Sequence, residues 1–508
     1  MELLANLAHG FGVALSPSTL LYCLIGVTFG TFIGVLPGIG PLATIGLLLP
    51  ITFHLPPIEG IVMLAGIYYG AMYGGSTTAI LLNLPGTAAS LMAALDGHPM
   101  AKQGRAGPAL VMTTLVSFFS ACVAILLIAA FAPPLARFAL NFGSPEYFSL
   151  MVMGLIAASV LVSGSIIKGL AMMVFGLLMG MVGLDLTTGA PRYTFGVASL
   201  YEGLSFVIVI IGLFGLAEVI NNLALGERRQ SFTGRVPWRD LIPTRKDLKD
   251  ARFSTLRGTL LGAALGILPG AGPAISTFAA YALEKRVAKD PSRFGKGAME
   301  GLTAPEAANN AAAQTSFIPT LSLGIPGDAT MAIMLGAMLI HGLVPGPQIV
   351  TENPDFFWGL IASFWIGNLF LLILNLPLVG IWVKMLSMPY SWMFPAILSF
   401  IGIGMYSLHL DSFDVYLTVG FGLLGFLLLK LRCEAAPLLL GLVLAPLLED
   451  NLRRSLLLSR GDPMIFIERP ISLFFVMLGA GFLLLVAVPS VLRWFRSRRG
   501  PAPDGAGK

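Results

Sequence analysis

The amino-acid sequence predicts an all-α polytopic membrane protein with about 10 to 12 spans, built from two inverted-topology repeats that contain broken or re-entrant helices. Three observations lead to this prediction. Hydrophobic residues make up 56% of the 508 residues and charged residues only 11%, whereas soluble domains carry about a quarter charged residues. A Pro-Gly motif occurs twice, at 34–43 and at 266–275. The loops that follow the two copies carry opposite charge.

The composition excludes several classes of protein. The chain holds 59 glycines and 34 prolines, but it is too apolar to be disordered and lacks the triplet period of collagen. These residues are therefore expected inside membrane helices. The net charge of +5 arises from short basic runs between apolar segments, so a nucleic-acid partner is not expected.

Cysteines and the N-terminal sequence add two further expectations. Cys23, Cys122 and Cys433 lie far apart in apolar stretches, without the spacing of a disulfide framework or a zinc site. No Lys or Arg precedes Lys102. A cleavable signal peptide begins with a basic region, and we therefore expect the first hydrophobic segment to remain in the protein.

Apolar runs of roughly 20 residues, the length that crosses a bilayer core, cover most of the chain. The uninterrupted runs are 60–83, 106–131, 146–162, 165–183, 201–225, 356–383, 388–408, 412–430 and 471–492. Three longer runs, 17–53, 258–283 and 297–344, contain Pro-Gly clusters, and we predict broken or re-entrant helices there. The pattern leaves open whether the segment 435–470 crosses the membrane, dips into it or lies at its surface.

Four segments organise the chain in this interpretation. Residues 1–225 form the first transmembrane repeat and 258–492 the second. The linker 226–257 holds nine Lys or Arg residues, and short basic loops stay in the cytoplasm. Residues 493–508 form a basic C-terminal tail.

The internal repeat extends beyond one motif. The two Pro-Gly copies match at six of ten positions with an offset of 232 residues. Further along, 83–87 (NLPGT) corresponds to 324–328 (GIPGD) with an offset of 241 residues. The additional residues of the second half fall in the basic segment 285–296. A repeat of this size predicts two halves with the same fold.

Loop charges predict that the halves have opposite orientation. The connector 54–59 has no Lys or Arg, whereas its counterpart 285–296 has five. After the second motif, the first half continues through Lys102 and Arg105, and the second half through Glu352 and Asp355. Two connectors that invert together are typical of the inverted repeats of secondary transporters. We therefore expect the N-terminus outside.

Four Pro-Gly breaks predict a cavity, because irregular backbone at membrane depth needs protein or water to satisfy its polar groups. The helix that follows each break offers N–H groups with about half a positive charge, which suit a carboxylate. Preceding carbonyl ends suit a cation, which would be co-transported with the anion. The motif regions contain no Lys or Arg, so backbone dipoles, hydroxyls and amides would hold an anion. No other cofactor is expected.

The candidate substrate-binding residues form the breaks or carry short polar side chains beside them. They are Pro37, Gly38, Gly40, Ser76, Thr77, Thr78, Asn83, Pro85, Gly86, Thr87, Pro269, Gly270, Gly272, Asn309, Asn310, Gln314, Thr315, Gly324, Pro326, Gly327 and Asp328. Asp328 would help a cation bind or repel an anion. The polar side chains have an alternative role as contacts between helices. For Glu218, near a predicted helix end, contact with solvent is the simpler interpretation.

Enzyme motifs are missing from the sequence. There is no GxxxxGK[ST] phosphate loop, no HExxH zinc helix and no GxSxG nucleophile elbow, so an enzyme is not expected. A secondary transporter explains the paired breaks best. A passive channel and a membrane scaffold for other subunits are the alternatives.

Five segments carry a family resemblance. They are 34–41 (GVLPGIGP), 73–86 (YGGSTTAILLNLPG), 96–102 (DGHPMAK), 183–196 (GLDLTTGAPRYTFG) and 324–328 (GIPGD). In their order and in the length of the chain, they resemble the large membrane subunit of the bacterial tripartite tricarboxylate transporters.

The resemblance implies a multi-pass permease of the bacterial inner membrane with two partners, a small membrane subunit and a periplasmic solute-binding protein. It further implies uptake of a carboxylate, such as a tricarboxylate, driven by an ion gradient that is commonly sodium. Sodium would then bind near the helix breaks, and a proton is the alternative coupling ion. Citrate is one candidate cargo. By position, residues 76–78, 83–87, 309–310 and 324–328 would line the translocation site.

Overall fold

The structure, a computed structural model, describes residues 2–36, 40–84, 86–160, 165–185, 187–225, 241–385 and 390–498. The protein is an all-α polytopic membrane protein, as the sequence predicts. The strands in the described ranges are two residue pairs, β1 (Gly183–Leu184) and β2 (Pro191–Arg192), which pair antiparallel with Gly183 opposite Arg192.

Ten helices precede the basic linker in the described part of the chain. They are α1 (Glu2–Ala14), α2 (Pro17–Val35), α3 (Pro41–Thr52), α4 (Pro57–Leu82), α5 (Leu91–Lys102), α6 (Ala106–Ala139), α7 (Ser144–Val160), α8 (Ile166–Gly180), α9 (Phe206–Ile210) and α10 (Ala217–Leu225). A 3-10 turn, Ala88–Ser90, leads into α5, and a π-helical segment, Ile211–Leu216, joins α9 to α10.

The second half begins with a helix inside the predicted linker, since α11 already starts at Arg245. Residues 226–240 of that linker and 499–508 of the predicted tail lie outside the described residues. The helices are α11 (Arg245–Gly266), α12 (Gly272–Val287), α13 (Met299–Thr315), α14 (Phe317–Leu323), α15 (Ala329–Ile340), α16 (Ile349–Glu352), α17 (Pro354–Asn375), α18 (Val379–Met385), α19 (Tyr390–His409), α20 (Ser412–Lys430), α21 (Ala436–Leu458), α22 (Ile465–Glu468) and α23 (Pro470–Arg498).

Predicted spans and observed helices agree closely with one exception. The run 356–383 is divided into α17 and α18, because Pro377 lies between them and proline lacks the N–H that a continuing helix needs. The three runs predicted to be broken are interrupted near 36–40, 267–271 and 324–328. In the described ranges, five helical runs are long and apolar enough to cross a membrane alone: Pro17–Val35, Ala106–Ala139, Phe206–Ala224, Pro354–Asn375 and Ser412–Lys430.

Helices α2 and α4 approach each other through glycines, the small residues that let membrane helices pack closely. A Cβ atom added to Gly30 would lie 2.5 Å from the backbone oxygen of Ile67. One turn to either side, Gly26 faces the backbone oxygen of Met63, and Gly34 faces that of Ala71. The two backbones are therefore in direct contact over three turns.

Helices α11 and α13 repeat this arrangement in the second half. Gly258, Gly262 and Gly266 face the backbone oxygens of Ala304, Ala308 and Ala312. The three glycines follow those of α2 by 232 residues, and the three carbonyl residues follow those of α4 by 241 residues. These are the two offsets of the sequence motifs, so both helix pairs pack in the same register.

The long helix after each pair packs against the other half. Helix α6 contacts α13 and α14, whereas α17 contacts α2 and α4. The exchange is reciprocal, because each long helix packs on helices of the other half.

The two ends of α6 identify two faces of the protein. Near its start, the guanidinium of Arg105 pairs with Asp247 at 2.5 Å, and Gln103 Nε2 donates to the backbone oxygen of Lys296 at 2.9 Å. Beyond its end, Leu140 shares a cavity with residues 344–348. An α-helix of 34 residues is about 50 Å long. The basic segment 285–296 and the loop after α15 therefore lie at opposite faces.

Candidate functional site

All four breaks border a single cavity of about 510 Å³. It lies where α3, α12 and α15 begin and where the chain enters the turn before α5. The predicted residues that line it are Gly40, Gly86, Thr87, Gly270, Gly272 and Asp328. Each break thus contributes at least one predicted residue to one shared space.

Helix N-termini surround this cavity. Helix α3 follows Gly40, α12 follows Ala271 and α15 follows Asp328. Each N-terminus places partly positive N–H groups at the cavity wall. No side chain caps α3 or α12, and these two helices occupy equivalent positions in the two halves. Their first turns are the best-placed backbone donors for an anion.

The other two breaks are capped by their own side chains. Thr87 Oγ1 accepts from the backbone N–H of Ser90 at 3.2 Å, and Asp328 Oδ1 accepts from that of Met331 at 2.8 Å. Both caps have extended backbone and bond the residue three positions on. Thr87 and Asp328 are separated by 241 residues. The repeat is therefore visible at the level of single hydrogen bonds.

Acidic side chains line the cavity together with these N-termini. Asp328, Glu218 and Glu434 are at its wall, and among the described lining residues there is no Lys or Arg. The hydroxyl of Tyr68 donates to Asp328 Oδ2 at 2.8 Å, and the amide of Gly40 donates to Glu218 Oε2 at 3.4 Å. An anion that enters the cavity would meet favourable backbone dipoles and also carboxylates that repel it.

The sequence pattern gives no reason to select Glu434, and it favours a solvent-facing position for Glu218 at a helix end. The structure places Glu218 at the wall of the cavity. Its position inside the apolar run 201–225 is the sequence feature that indicates a functional role, because ionisable residues within membrane segments usually have a function. Glu434, in a short polar stretch before α21, carries no such signal.

The breaks also contain residues whose role is to turn the chain. Asn83 and Gly324 end α4 and α14 in the left-handed conformation, with φ of 57° and 68°. Asn83 is exposed and is absent from the described lining of the cavity. Gly327 accepts a backbone hydrogen bond of 2.7 Å from Gly270, which ties the third break to the fourth. Pro269 and Pro326 flank this bond.

Most predicted polar residues on α4 and α13 lie in helix interfaces and not at the cavity. Thr78 and Thr315 donate to backbone oxygens of their own helices. Thr77 is buried. The side-chain amide of Asn309 and Oε1 of Gln314 are buried without a hydrogen-bond partner. These residues lie within the continuous helices α4 and α13 and not at the breaks themselves. The sequence pattern does not distinguish polar residues in helix interfaces from polar residues at the cavity.

Ser76 and Asn310 belong to another group, because both donate hydrogen bonds to the carboxylate of Glu306. Pro37, Gly38 and Pro85 lie outside the described residues. For the predicted cation, the described residues contain no group of three or more His, Cys, Asp or Glu side chains with metal-binding geometry. A cation would therefore use single carboxylates together with backbone oxygens.

Comparison with known proteins identifies the family. The sequence profile of the tripartite tricarboxylate transporter TctA family matches residues 20–440. The chain belongs to this family. The large TctA permease subunit is a component of a transporter, and the four breaks and their cavity lie within the matched residues.

Two relatives of this TctA-family chain come from Agrobacterium vitis. An uncharacterized 52.8 kDa protein in the TAR-I ttuC' 3' region is 52% identical over 499 residues, which cover 98% of each chain. An uncharacterized protein in the TAR-II ttuC' 3' region is 52% identical over 238 residues, which cover 47% of this chain and 97% of the relative. No solved structure matches the TctA-family chain described here.

Proposed function

We propose that this chain is the permease of a tripartite system that imports a carboxylate, such as a tricarboxylate, across the bacterial inner membrane. An ion gradient, with sodium as the coupling ion, drives the uptake. A periplasmic solute-binding protein delivers the substrate, and a small membrane subunit completes the complex. The observation that carries the proposal is the convergence of four helix breaks on one cavity.

The carboxylate binds at the uncapped first turns of α3 and α12. Their N–H groups and the helix dipoles favour negative charge. Leu42, Ala274 and Ile275 contribute these turns to the cavity wall. Because no guanidinium or ammonium group lines the described part of the wall, binding relies on backbone donors and stays weak enough for release.

Sodium binds at the acidic wall of the same cavity and balances its negative charge. Asp328, Glu218 and Glu434 each offer a single carboxylate at this wall, and a hard cation would combine one of them with backbone oxygens, because it prefers oxygen ligands. A cation at this wall lowers the electrostatic cost of bringing in a carboxylate. Substrate and cation therefore favour each other's binding, which is the requirement for symport.

The two halves are inverted across the membrane and alternate access to the cavity. The reciprocal packing of α6 and α17 on the opposite halves supports this arrangement. The basic segment near Arg105 faces the cytoplasm, as the positive-inside rule requires. In this orientation, the loop after α15 faces the periplasm.

Transport in liposomes tests the proposal. The permease is reconstituted with its small membrane subunit, and the binding protein is added outside with labelled citrate or another carboxylate. Under an inward sodium gradient the label should accumulate above its external concentration. A passive channel equilibrates the label and does not concentrate it. Absence of uptake for every carboxylate tested would contradict the proposal.

A pair of variants on α12 tests the scaffold alternative. Ala274 lines the cavity, whereas Ala282 is exposed on the same helix. Ala274→Leu should abolish uptake because it fills space at the binding turn, and Ala282→Leu should leave uptake unchanged. Assembly of the complex should be normal for both. Full uptake by Ala274→Leu would favour a scaffold role for this chain.

A further inference from the structure

A second polar group lies outside the cavity, centred on the carboxylate of Glu306. Glu306 is on α13 and is 1% exposed. Ser76 on α4 donates to its Oε2 at 2.6 Å, and Ser117 on α6 donates to its Oε1 at 2.8 Å. Asn310, one turn later on α13, donates to Oε1 at 3.0 Å. The group therefore joins three helices across the boundary between the halves.

No Lys, Arg or His is among the hydrogen-bond or ion-pair partners of Glu306 in the described ranges. A buried carboxylate without a cationic partner is costly in its charged form. Within a membrane protein, such a residue is retained for a function more often than for stability.

Hydroxyl partners allow Glu306 to be either charged or neutral. In the charged form, both of its oxygens accept from the surrounding hydroxyls and amide. In the neutral form, the acid donates to Ser76, because a hydroxyl can accept as well as donate. Guanidinium or ammonium partners would not permit this exchange, since they only donate.

The distances favour a proton over a metal ion. Ser117 Oγ lies 2.7 Å from Asn310 Nδ2, so the polar atoms of the group already touch each other at hydrogen-bond distance. An ion between them would push them apart. Glu306 also does not line the cavity at the four helix breaks.

Neighbouring titratable groups are engaged with other partners. Tyr73 on α4 lies near Glu306, and Asp96 on α5 packs against Gly301 of α13. Helices α6, α11 and α12 also pack against α13, and they carry Cys122, Arg257, Tyr281 and Glu284. Tyr73 donates to Asn368, and Arg257 pairs with Glu284 at 2.5 Å. Asp96 accepts from three backbone amides and from Tyr281.

We propose that Glu306 is a proton-binding site inside the membrane and that it exchanges its proton during the transport cycle. The exchange of this proton during transport rests on the proposed function. Ser76 and Ser117 belong to the first half and Glu306 to the second. A movement between the halves that separates the acid from Ser76 and Ser117 would change its affinity for the proton.

Infrared spectroscopy of the purified protein tests the site without any transport. A protonated carboxylic acid has a carbonyl-stretch band that an ionised carboxylate lacks. We expect such a band in the parent protein, its loss in Glu306→Gln and its retention in Glu300→Gln. Glu300 is a matched control, because it lies on α13 and pairs with Arg293 at the basic face. Ser76→Ala, which keeps the acid, should make the band persist to higher pH.

Three results would contradict the assignment of Glu306 as a proton-binding site. One is an unchanged band in folded Glu306→Gln, and another is an unchanged pH dependence of the band in Ser76→Ala. The third is loss of the parent band on addition of sodium at constant pH, which would assign the group to a metal ion.

Uptake under an imposed pH gradient tests the coupling. The rate should respond to the gradient in the parent protein and in Glu300→Gln, and this response should be lost in Glu306→Gln. A parent that accumulates substrate with no response to the pH gradient contradicts proton exchange in the cycle. A parent that transports nothing contradicts the proposed function, while the infrared result still decides the site.

Discussion

Tyr68 donates a 2.8 Å hydrogen bond to Oδ2 of Asp328, and this bond connects α4 of the first half with the start of α15 in the second. The other carboxylate oxygen of Asp328 caps α15 through the amide of Met331. One side chain therefore has two roles, as the cap of a helix and as an acid at the cavity wall. Two different substitutions separate these roles.

Asp328→Asn should keep the cap and remove the charge, because Asn and Asp are equally good N-caps. We expect thermal stability close to that of the parent and a higher sodium concentration for half-maximal uptake. Asp328→Ala should lose the cap as well, at about 1 kcal/mol. Unfolding in detergent and sodium titrations of uptake measure the two effects. An unchanged sodium dependence in Asp328→Asn would remove Asp328 from the cation site.

Glycine contacts between α2 and α4 should be sensitive to a single methyl group. Gly30→Ala places Cβ 2.5 Å from the backbone oxygen of Ile67, and overpacking of this kind destabilises by about 1 to 3 kcal/mol. Gly420→Ala is the control, because nothing lies within 4 Å of its Cβ position. An alanine is favoured over glycine in a helix by roughly 0.5 to 1 kcal/mol, so this control should be as stable as the parent or slightly more so.

Thermal unfolding of the two glycine variants, measured side by side, checks this prediction. Equal stabilities would mean that the close approach of α2 and α4 does not hold the first half together.

The sequence predicted the breaks and their convergence because both follow from local chemistry. Pro-Gly pairs end helices wherever they occur, and irregular backbone in a membrane has to face a cavity or protein. The direction in which a helical side chain points depends on how the helices pack. Ser76 lies about two turns before the break at Asn83, and Asn309 lies 15 residues before the break at Gly324. Both side chains are buried between helices. Glu306 was missed for the same reason, since its partner Ser117 is on α6.

An ion-pair network beside the β1–β2 hairpin should be sensitive to acid. Hydrogen bonds from the guanidinium of Arg453, and then from the amides of Thr187 and Thr188, hold the pKa of Asp185 well below its usual range. A lowered pKa in the folded protein contributes stability above the unfolded pKa of about 4. That contribution is lost as the pH falls from there through the folded pKa.

Melting temperatures of the parent and of Asp185→Asn should therefore differ most near pH 7 and converge as the pH is lowered below about 4. Glu352→Gln is the control, because Glu352 is exposed and lies on the face of the loop after α15. Its melting curve should follow that of the parent. A difference for Asp185→Asn that stays constant with pH would exclude an ionised Asp185 as the cause.

Cysteine accessibility tests the inversion of the two halves directly. His54 and Lys289 are exposed residues in equivalent connectors, and each is replaced by cysteine in a background that lacks Cys23, Cys122 and Cys433. The connector of His54 lies close to the loop after α15, since Thr52 and His341 are hydrogen-bonded at 3.2 Å. Lys289 lies in the basic segment at the other face. In intact cells, a membrane-impermeant maleimide should therefore label His54→Cys and leave Lys289→Cys unlabelled until the membrane is opened. Labelling of both from outside would place the two connectors on one side, and the halves would then not be inverted.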